Sequence, residues 1–241
     1  MTFATRPSDK SDPTDISVMQ PHGVAPVSFE IRSISNRVAS LMINKFHYTH
    51  NLPSNTSLNF GAYIGNQLQA VTCYGWPAQR NIPYGWFELR RMVKRPNSPI
   101  ILSKFLAKTI YHMKALKILC LISYADSMQN HHGGIYQATN WIFTGSTSDR
   151  SLFVNEFDEI LHPRNVYAMF GTSSVSKVIE LNPKWHVIEG GRKYRYIMPL
   201  NIRKNKALSV LGLKELPYPK PIAQHEHKPI YNKRQTTASL F

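Results

Sequence analysis

The fold of this chain depends most on residues 121–145, which read LISYADSMQNHHGGIYQATNWIFTG. The apolar run that begins at Leu121 predicts a buried strand that ends at Asp126. A polar loop with two histidines and two glycines follows, and Gly134 opens a short helical segment that carries Tyr136. A strand that delivers a carboxylate to its edge, a glycine loop and a helix that presents a phenol toward the same crevice together indicate a functional site.

The segments on either side of this run predict alternating strands and helices. Gly65-Asn66 predicts the tight turn of a hairpin, and residues 96–99 (PNSP) predict a helix start at which Asn97 or Ser98 is the cap. The predicted elements are a strand over 28–34, a helix capped by Ser35 that runs to about Phe46, strands over 58–64, 67–74 and 87–94, a helix that runs to about Lys117, strands over 119–125, 142–147 and 152–157, a loop over 161–171 and a last strand over 193–200.

This order predicts an α/β fold with one domain over residues 28–200, in which a central mixed, mostly antiparallel sheet is flanked by helices. Strand 87–94 and its successor are expected to run parallel across a helix. Residues 1–27 are rich in Ser, Thr, Asp and Pro without a hydrophobic period, which predicts a flexible N-terminal arm. Residues 201–241 are basic and contain several prolines, so they are expected to form a tail that crosses a nucleic acid backbone or is simply solvated.

The charge of the chain is strongly unbalanced. Its 241 residues include 29 Lys and Arg against 14 Asp and Glu, a formal net charge of +15, and 42% of them are hydrophobic, which is enough to bury a core. So large a positive charge favours a nucleic acid partner over a basic surface that is only solvated, although it does not separate DNA from RNA.

The two cysteines and the apolar runs indicate where in the cell the chain acts. Cys73 and Cys120 lie in apolar segments without a CxxC spacing, which predicts buried reduced thiols rather than a disulfide or a zinc site. No apolar stretch reaches the length of a membrane span, and the N-terminus lacks the pattern of a signal peptide. The chain is therefore expected to act in the cytoplasm without a membrane partner.

A first candidate site combines basic residues with the predicted helix start. Arg90 and Arg91 precede Asn97 and Ser98, and free N–H groups at a helix N-terminus attract anions. This pattern predicts a phosphate site. The alternative is a basic strand edge that pairs with carboxylates such as Glu88.

A second candidate site combines Asp126, His131, His132 and Tyr136. A carboxylate at a strand end can orient an amine or accept its proton, and a tyrosine on the next helix can protonate a leaving group. The alternatives are that Asp126 only caps the loop and that Tyr136 only packs in the core.

Histidines and aromatic residues supply two further candidates. His47 and His50 are spaced i, i+3, so they could bind a metal or contact phosphate, or be ordinary structural histidines, and the spacing names no third metal ligand. Aromatic residues near cationic ones suit an unpaired or flipped base, the alternative being core packing, at least for Trp141. The aromatic group comprises Trp76, Tyr84, Trp86 and Trp141, with Arg80 beside it.

Residues 87–94 with the helix after them, together with residues 123–141, resemble the Mom DNA modification proteins of Mu-like bacteriophages, which are remote members of the GNAT acyltransferase superfamily. The resemblance extends over about residues 28–200 in element order, and its specific motif is confined to residues 87–145. It implies a single GNAT-like domain that converts the exocyclic amine of adenine in double-stranded DNA to a carbamoylmethyl form. That modification shields phage DNA from restriction enzymes in the cytoplasm of the bacterial host.

The resemblance also implies roles for matched residues. His47 and Tyr48 match the family's early His-Tyr pair, Asp126 its central aspartate, and Tyr136 the helix tyrosine that serves many GNAT enzymes as general acid. These four residues are expected to be catalytic. The residues expected to hold the phosphate of a donor are Arg90, Arg91, Asn97 and Ser98, and those expected to bind the flipped adenine are Trp76, Trp86, Arg80, His131 and Asn140.

The group donor is left open between acetyl coenzyme A and glycyl-tRNA. Typical GNAT enzymes hold the coenzyme A pyrophosphate in a glycine-rich loop, whereas this chain has RPNSP at residues 95–99, where the prolines supply no N–H. A carbamoylmethyl product carries a methylene on the base nitrogen, which acetyl transfer alone does not give. Glycyl transfer followed by attack of the free amine on the adenine ring would give it, with tRNA as a second partner.

Other outcomes stay open at the level of sequence. A metal such as iron is a further candidate cofactor, and the oligomeric state is not determined. The alternative functions are a GNAT-type N-acyltransferase that acts on a small amine or a protein, and a non-catalytic nucleic-acid-binding module on the same scaffold.

Overall fold

The computed structural model describes residues 27–79, 81–129, 131–147 and 151–220, with only the backbone of Arg164. The predicted N-terminal arm up to residue 26 and the tail beyond residue 220 lie outside these ranges. The elements are β1 (Glu30–Ser33), α1 (Asn36–Phe46), β2 (Thr56–Ile64), β3 (Gln67–Gly75), β4 (Trp86–Lys94), α2 (Leu102–Ala115), β5 (Cys120–Asp126), α3 (Gly134–Gln137), β6 (Ile142–Ser146), β7 (Ser151–Val154), β8 (Ile160–Leu161), α4 (Pro163–Phe170), α5 (Val175–Leu181), β9 (His186–Glu189), β10 (Lys193–Pro199) and α6 (Lys204–Val210).

The main sheet has seven strands in the order β1-β2-β3-β4-β5-β10-β6. Its pairs are antiparallel except β4 with β5, which run parallel because α2 crosses over between them. The predicted mixed, mostly antiparallel sheet flanked by helices is therefore confirmed. α2 buries Phe105, Leu106 and Met113 against one face of the sheet, whereas α1 packs on strands β3 and β4 at the other face.

Helix α1 begins and ends as the sequence predicts. The Ser35 hydroxyl accepts a hydrogen bond from the Val38 N–H (3.4 Å), which satisfies one of the free donors of the first turn. Ala39, Met42 and Ile43 follow the helical period and are buried against β3. The helix ends at Phe46, so the His47-Tyr48 pair leaves it directly.

The predicted cap of α2 is wrong. The helix begins at Leu102 with Ile101 as its N-cap, not at Asn97 or Ser98. The ammonium group of Lys94 donates to the carbonyls of Ser98 (3.0 Å) and Ile100 (3.2 Å), which holds these residues in a turn before the helix. The side chain of Lys94 thus holds the predicted capping residues in a turn that precedes the helix.

A second, three-stranded sheet in the order β8-β7-β9 is inserted between β6 and β10. The sequence predicts a loop over residues 161–171, but the structure has helix α4 there, which begins at Pro163. Proline suits the first helical position because its missing N–H has no partner there in any case. Val166 is fully buried in a small core that belongs to this insert together with Phe153, Val178 and Trp185.

Residues 201–220 fold onto the domain, which corrects the prediction of a tail from residue 201. Ala207 of α6 is buried beside Ile122 and Ile197. Further along, the Tyr218 hydroxyl donates to the Trp141 carbonyl (2.7 Å). Within the described ranges, the helices are too short or too polar to cross a membrane.

Candidate active site

Strands β4 and β5 separate part-way along the sheet. They pair only from Trp86 with Cys120 to Glu88 with Ile122, although both strands continue. Across β3 and β4, Cys73 faces Arg91 and Tyr74 faces Leu89, which leaves Arg90 as the extra residue of a β-bulge. A bulge bends its strand and ends the pairing, so a crevice opens between β4 and β5.

The end of α1 places an aromatic pair near this crevice. The rings of His47 and Tyr48 stack with their centroids 4.5 Å apart, and Tyr48 meets the ring of His131 edge-on at 6.1 Å. His131 belongs to the loop after β5, and its backbone N–H donates to the backbone carbonyl of Asp126 (3.1 Å). Residues far apart in the sequence, after α1 and after β5, are thus brought together.

Asp126 is the last residue of β5 and is buried. Its Oδ1 accepts a hydrogen bond from the Met128 N–H (3.1 Å), and its Oδ2 lies 3.9 Å from Nζ of Lys193 on β10. Asp126 raises the pKa of His131, but burial lowers that pKa more. Asp126 therefore does cap the loop, as one alternative states, and its charge also acts on the His131 side chain.

The glycine loop after Asp126 comes close to another side chain, as its composition predicts. Gly133 has φ of +88°, and a Cβ atom there would lie 2.3 Å from the ring of Tyr196. Glycine avoids both the strain of a positive φ and this clash. The close approach fixes the path of the loop that carries His131.

Arg91 lies with His47 and Tyr48 on the face of the sheet that α1 covers. Its Nε donates to the Asn51 carbonyl (3.1 Å) and its Nη1 to the Arg90 carbonyl (2.7 Å), so two hydrogen bonds orient the guanidinium. Burial lowers the pKa of Arg91, while Tyr48 raises it. Together with burial, Arg91 and His131 lower the pKa of His47 to about 3, so this imidazole is neutral at physiological pH.

Tyr136 does not face the same crevice as Asp126, which corrects the expected arrangement. Tyr136 packs in the core with Leu121 and Ala125, whereas Ile122 belongs to the core on the opposite face of β5. Since side chains alternate along a strand, Asp126 shares the face of Ile122. The carboxylate and the phenol therefore lie on opposite sides of the sheet.

The hydroxyl of Tyr136 nonetheless reaches the point where β4 and β5 part. Ser123 Oγ donates to the Leu89 carbonyl (2.9 Å) and lies 2.8 Å from the Tyr136 oxygen. Since the one Ser123 proton is used toward Leu89, Tyr136 must donate to Ser123. Burial raises the pKa of Tyr136 to about 12, so the phenol keeps its proton at physiological pH. Ser123 is a site residue that sequence reasoning missed, although a serine within an apolar strand could have indicated it.

The four residues that were predicted to bind a phosphate do not form one site. Arg90 donates to the Trp76 carbonyl (2.8 Å) and lies 3.6 Å from Glu88, whereas Arg91 is directed toward Asn51. Asn97 and Ser98 lie beyond the other end of β4, before α2 begins. The basic strand edge with Glu88, the alternative considered for this pattern, is thus present for Arg90.

The aromatic residues divide into core and surface. Trp86 is 1% exposed and packs against Cys120 and Ile122, so it does not contact a base, contrary to its assignment. Trp76 is 43% exposed and stacks on Tyr84, which is 86% exposed, with the ring centroids 5.6 Å apart. We call Trp76 and Tyr84 the aromatic ledge.

Arg80 and Asn140 are the other two residues that the sequence assigns to base binding. Arg80 lies outside the described residues. Asn140 is exposed, and its φ of +59° places it in the left-handed turn that ends α3, a position that asparagine tolerates well. That conformation accounts for Asn140 without a ligand.

The histidine pair does not form the expected helix face. His47 follows the last residue of α1, and His50 turns back so that its Nδ1 lies 2.7 Å from the Asn44 carbonyl. Among the described residues, no group of three or more His, Cys, Asp or Glu side chains could hold a metal ion. The structure thus gives the candidate iron no support.

The Mom protein family matches residues 28–220. The methylcarbamoylase Mom of Escherichia phage Mu is 27% identical over 213 residues, which cover 82% of this chain and 86% of that protein.

Two acetyltransferases are among the solved structures to which the chain is similar. The ribosomal-protein-S18-alanine N-acetyltransferase of Escherichia coli is 9% identical, with a TM-score of 0.44 over 73% of this chain and 96% of its own. An acetyltransferase from Bacillus subtilis in complex with CoA is 10% identical, with a TM-score of 0.44 over 72% of this chain and 99% of its own.

Proposed function

Because the chain belongs to the Mom protein family, we propose that it is a DNA modification enzyme that transfers a group to the exocyclic amine of adenine. The observation that carries this proposal is the convergence of His47, Tyr48, Arg91 and His131 beside Asp126, where β4 and β5 part. The net charge of +15 supports DNA as the partner, since cationic side chains release counterions when they neutralise phosphates. The phage Mu relative carries the name methylcarbamoylase, and a methylcarbamoyl group is an isomer of the proposed carbamoylmethyl group, so the name supports the atoms that are transferred and not their order.

The buried carboxylate of Asp126 has the properties that an adenine acceptor requires. The exocyclic amine of adenine is weakly nucleophilic because its lone pair is delocalised into the ring. Asp126 Oδ1 accepts the hydrogen bond from the Met128 N–H, whereas Oδ2 lies 3.9 Å from Nζ of Lys193. Oδ2 would accept a proton from the amine as the new bond to nitrogen forms.

Arg91 supplies positive charge for the carbonyl oxygen of the donor. When the amine attacks a carbonyl carbon, the carbonyl oxygen becomes negative and requires hydrogen-bond donors. The Nε and Nη1 of Arg91 are oriented by the carbonyls of Asn51 and Arg90, so the guanidinium is fixed before the substrate arrives. Arg91 would stabilise the negative oxygen, and the Tyr136 phenol would protonate the leaving group from the apex of the crevice.

We favour a glycyl donor over acetyl coenzyme A. In the turn before α2, Pro96 and Pro99 have no N–H, the Ser98 N–H donates to the Arg95 carbonyl, and the Ile100 N–H is taken by the Ser98 hydroxyl. This turn therefore offers few donors to a pyrophosphate.

The connectivity of the product supports the same donor. The adenine amine would displace tRNA from the glycyl ester, which forms an amide. The free glycyl amine would then attack the ring carbon that bears this amide, close a five-membered ring, and expel the amide nitrogen. One carbon–nitrogen bond forms and one breaks, and the terminal amide of a carbamoylmethyl group remains without an oxidant or reductant.

The aromatic ledge is the proposed contact for an adenine that has left the base stack. Replacing Trp76 with Ala is expected to weaken binding to a duplex with an unpaired adenine by about tenfold, because stacking of a base on an aromatic ring contributes about 1–3 kcal/mol. Fluorescence anisotropy with labelled duplexes measures this change. The exposed Tyr111 on α2 provides a control, since Tyr111→Ala removes an exposed aromatic residue far from the ledge in sequence. Equal effects of the two substitutions would contradict the assignment.

Transfer of a labelled group tests the acceptor. Purified protein is incubated with a duplex oligonucleotide and either carbon-labelled glycyl-tRNA or carbon-labelled acetyl coenzyme A. We expect label from glycyl-tRNA, and not from acetyl coenzyme A, in adenine-containing DNA. We expect no label in a duplex of G and C alone. Label in protein or in a small amine instead would favour the N-acyltransferase alternative, and no transfer by folded protein that binds DNA would favour a binding module.

A further inference from the structure

We propose that Thr49 is a positioning residue that fixes His47 as a neutral imidazole with its proton on Nε2. His47 then acts as a hydrogen-bond donor, not as a general base or a metal ligand. This inference rests on the proposed function for its catalytic consequence. The state of the imidazole itself is a separate and measurable property.

The hydrogen bonds around Nδ1 decide which nitrogen carries the proton. The backbone N–H of Thr49 donates to Nδ1 of His47 (3.1 Å), and Oγ1 of Thr49 lies 2.9 Å from the same atom. A backbone N–H is only a donor, so Nδ1 must be the acceptor. In a neutral imidazole whose Nδ1 accepts, the proton is on Nε2.

The surroundings of His47 favour the uncharged ring. The groups that act on it from other elements are Arg91 on β4, His131 in the loop after β5, and His50 in its own loop, and each disfavours a second positive charge. Burial acts in the same direction and more strongly, and the stacked Tyr48 covers one face of the ring. Because the pKa of His47 is lowered, protonation would occur only in strongly acidic solution.

This state determines what His47 can do. A ring that holds its proton on Nε2 cannot accept the amine proton there, and it cannot bind a metal through that atom without losing the proton. It can donate to an oxygen that becomes negative. We therefore assign His47 to the carbonyl oxygen of the donor, together with Arg91, and leave proton acceptance to Asp126.

The hydroxyl of Thr49 allows a test that leaves the imidazole in place. Thr49→Val keeps the branched shape and the backbone N–H but removes Oγ1, whereas Thr49→Ser keeps the hydroxyl. The protein is labelled with nitrogen-15 histidine, and two-bond nitrogen–proton spectra report the tautomer. The signals of His47 are assigned by their absence in His47→Gln.

In wild-type protein we expect the Nε2–H pattern at every pH from 5.5 to 8. In Thr49→Val we expect the Nε2–H pattern to persist, because the backbone N–H still donates to Nδ1, but the Nδ1 signal to shift through the loss of the hydroxyl, with DNA modification reduced about tenfold. Thr49→Ser should restore both the spectrum and the rate.

Three results would contradict parts of this account. An Nδ1–H pattern, or titration of His47 between pH 5.5 and 7.5 in wild-type protein, would overturn the assignment. A loss of modification in Thr49→Val with an unchanged His47 spectrum would overturn the positioning role of Thr49. The predicted spectrum in protein that modifies no DNA would confirm the tautomer and instead overturn the proposed function, so the two failures are distinguishable.

Discussion

Replacing Asp126 with Asn is expected to reduce adenine modification by about 100-fold or more, because general acid–base groups typically contribute factors of about 100 to 10,000. The substitution is conservative in structure. An asparagine oxygen can still accept the hydrogen bond from the Met128 N–H (3.1 Å), so the loop after β5 keeps its cap. What is lost is the negative charge and the ability to take a proton. The rate is measured as modified adenosine per enzyme and time, and DNA affinity is measured in parallel.

Asp158→Asn is the matched control for this experiment. Asp158 is an exposed carboxylate in the turn between β7 and β8, and its φ of +59° suits asparagine at least as well as aspartate. We expect the Asp158→Asn protein to modify DNA at the wild-type rate. A large loss of DNA binding by folded Asp126→Asn protein would show that Asp126 supports the binding surface instead of the chemistry.

Replacing Tyr136 with Phe is expected to reduce the rate about 100-fold if the phenol is the general acid. Its pKa, raised to about 12 by burial, keeps the proton available throughout the physiological range, so this residue should cause no loss of activity between pH 7 and pH 10. To protonate a leaving group, the hydroxyl must turn away from Ser123 Oγ, 2.8 Å away. Ser123 keeps its own bond to the Leu89 carbonyl in the variant, so the apex of the crevice is retained.

Tyr74→Phe separates catalysis from stability. Tyr74 is also a fully buried tyrosine, and its hydroxyl lies 2.7 Å from Thr109 Oγ1. Each substitution is expected to lower the free energy of unfolding by about 1 kcal/mol, the usual contribution of one hydrogen bond. Urea unfolding measures that loss, and only Tyr136→Phe should also lose activity. Similar rates in both variants would reduce Tyr136 to a structural hydrogen bond, the alternative that its packing in the core also allows.

Features with a local cause could be predicted from the sequence. Ser35 caps α1 because its hydroxyl meets an N–H three residues away, and Asp126 ends β5 because the apolar run ends there. The alternation of strands and helices was sufficient to predict a mixed sheet with one parallel pair. No periodicity in the sequence indicates that Tyr48 lies beside His131.

Features with a long-range cause could not be predicted in this way. Trp76 and Trp86 look equivalent in the sequence, but only Trp86 lies opposite β5, where it is buried against Cys120. The same limit applies to Tyr136, whose distance from Asp126 along the chain does not reveal that the sheet separates them.

The most direct test of the central claim is nucleoside mass spectrometry of DNA from cells that express this chain. The proposed function predicts a deoxyadenosine heavier by one carbamoylmethyl group in cells with the wild-type chain, and its near absence in cells with Asp126→Asn at the same protein level. Unmodified deoxyadenosine in cells that contain folded wild-type protein would contradict modification of DNA adenine by the chain alone.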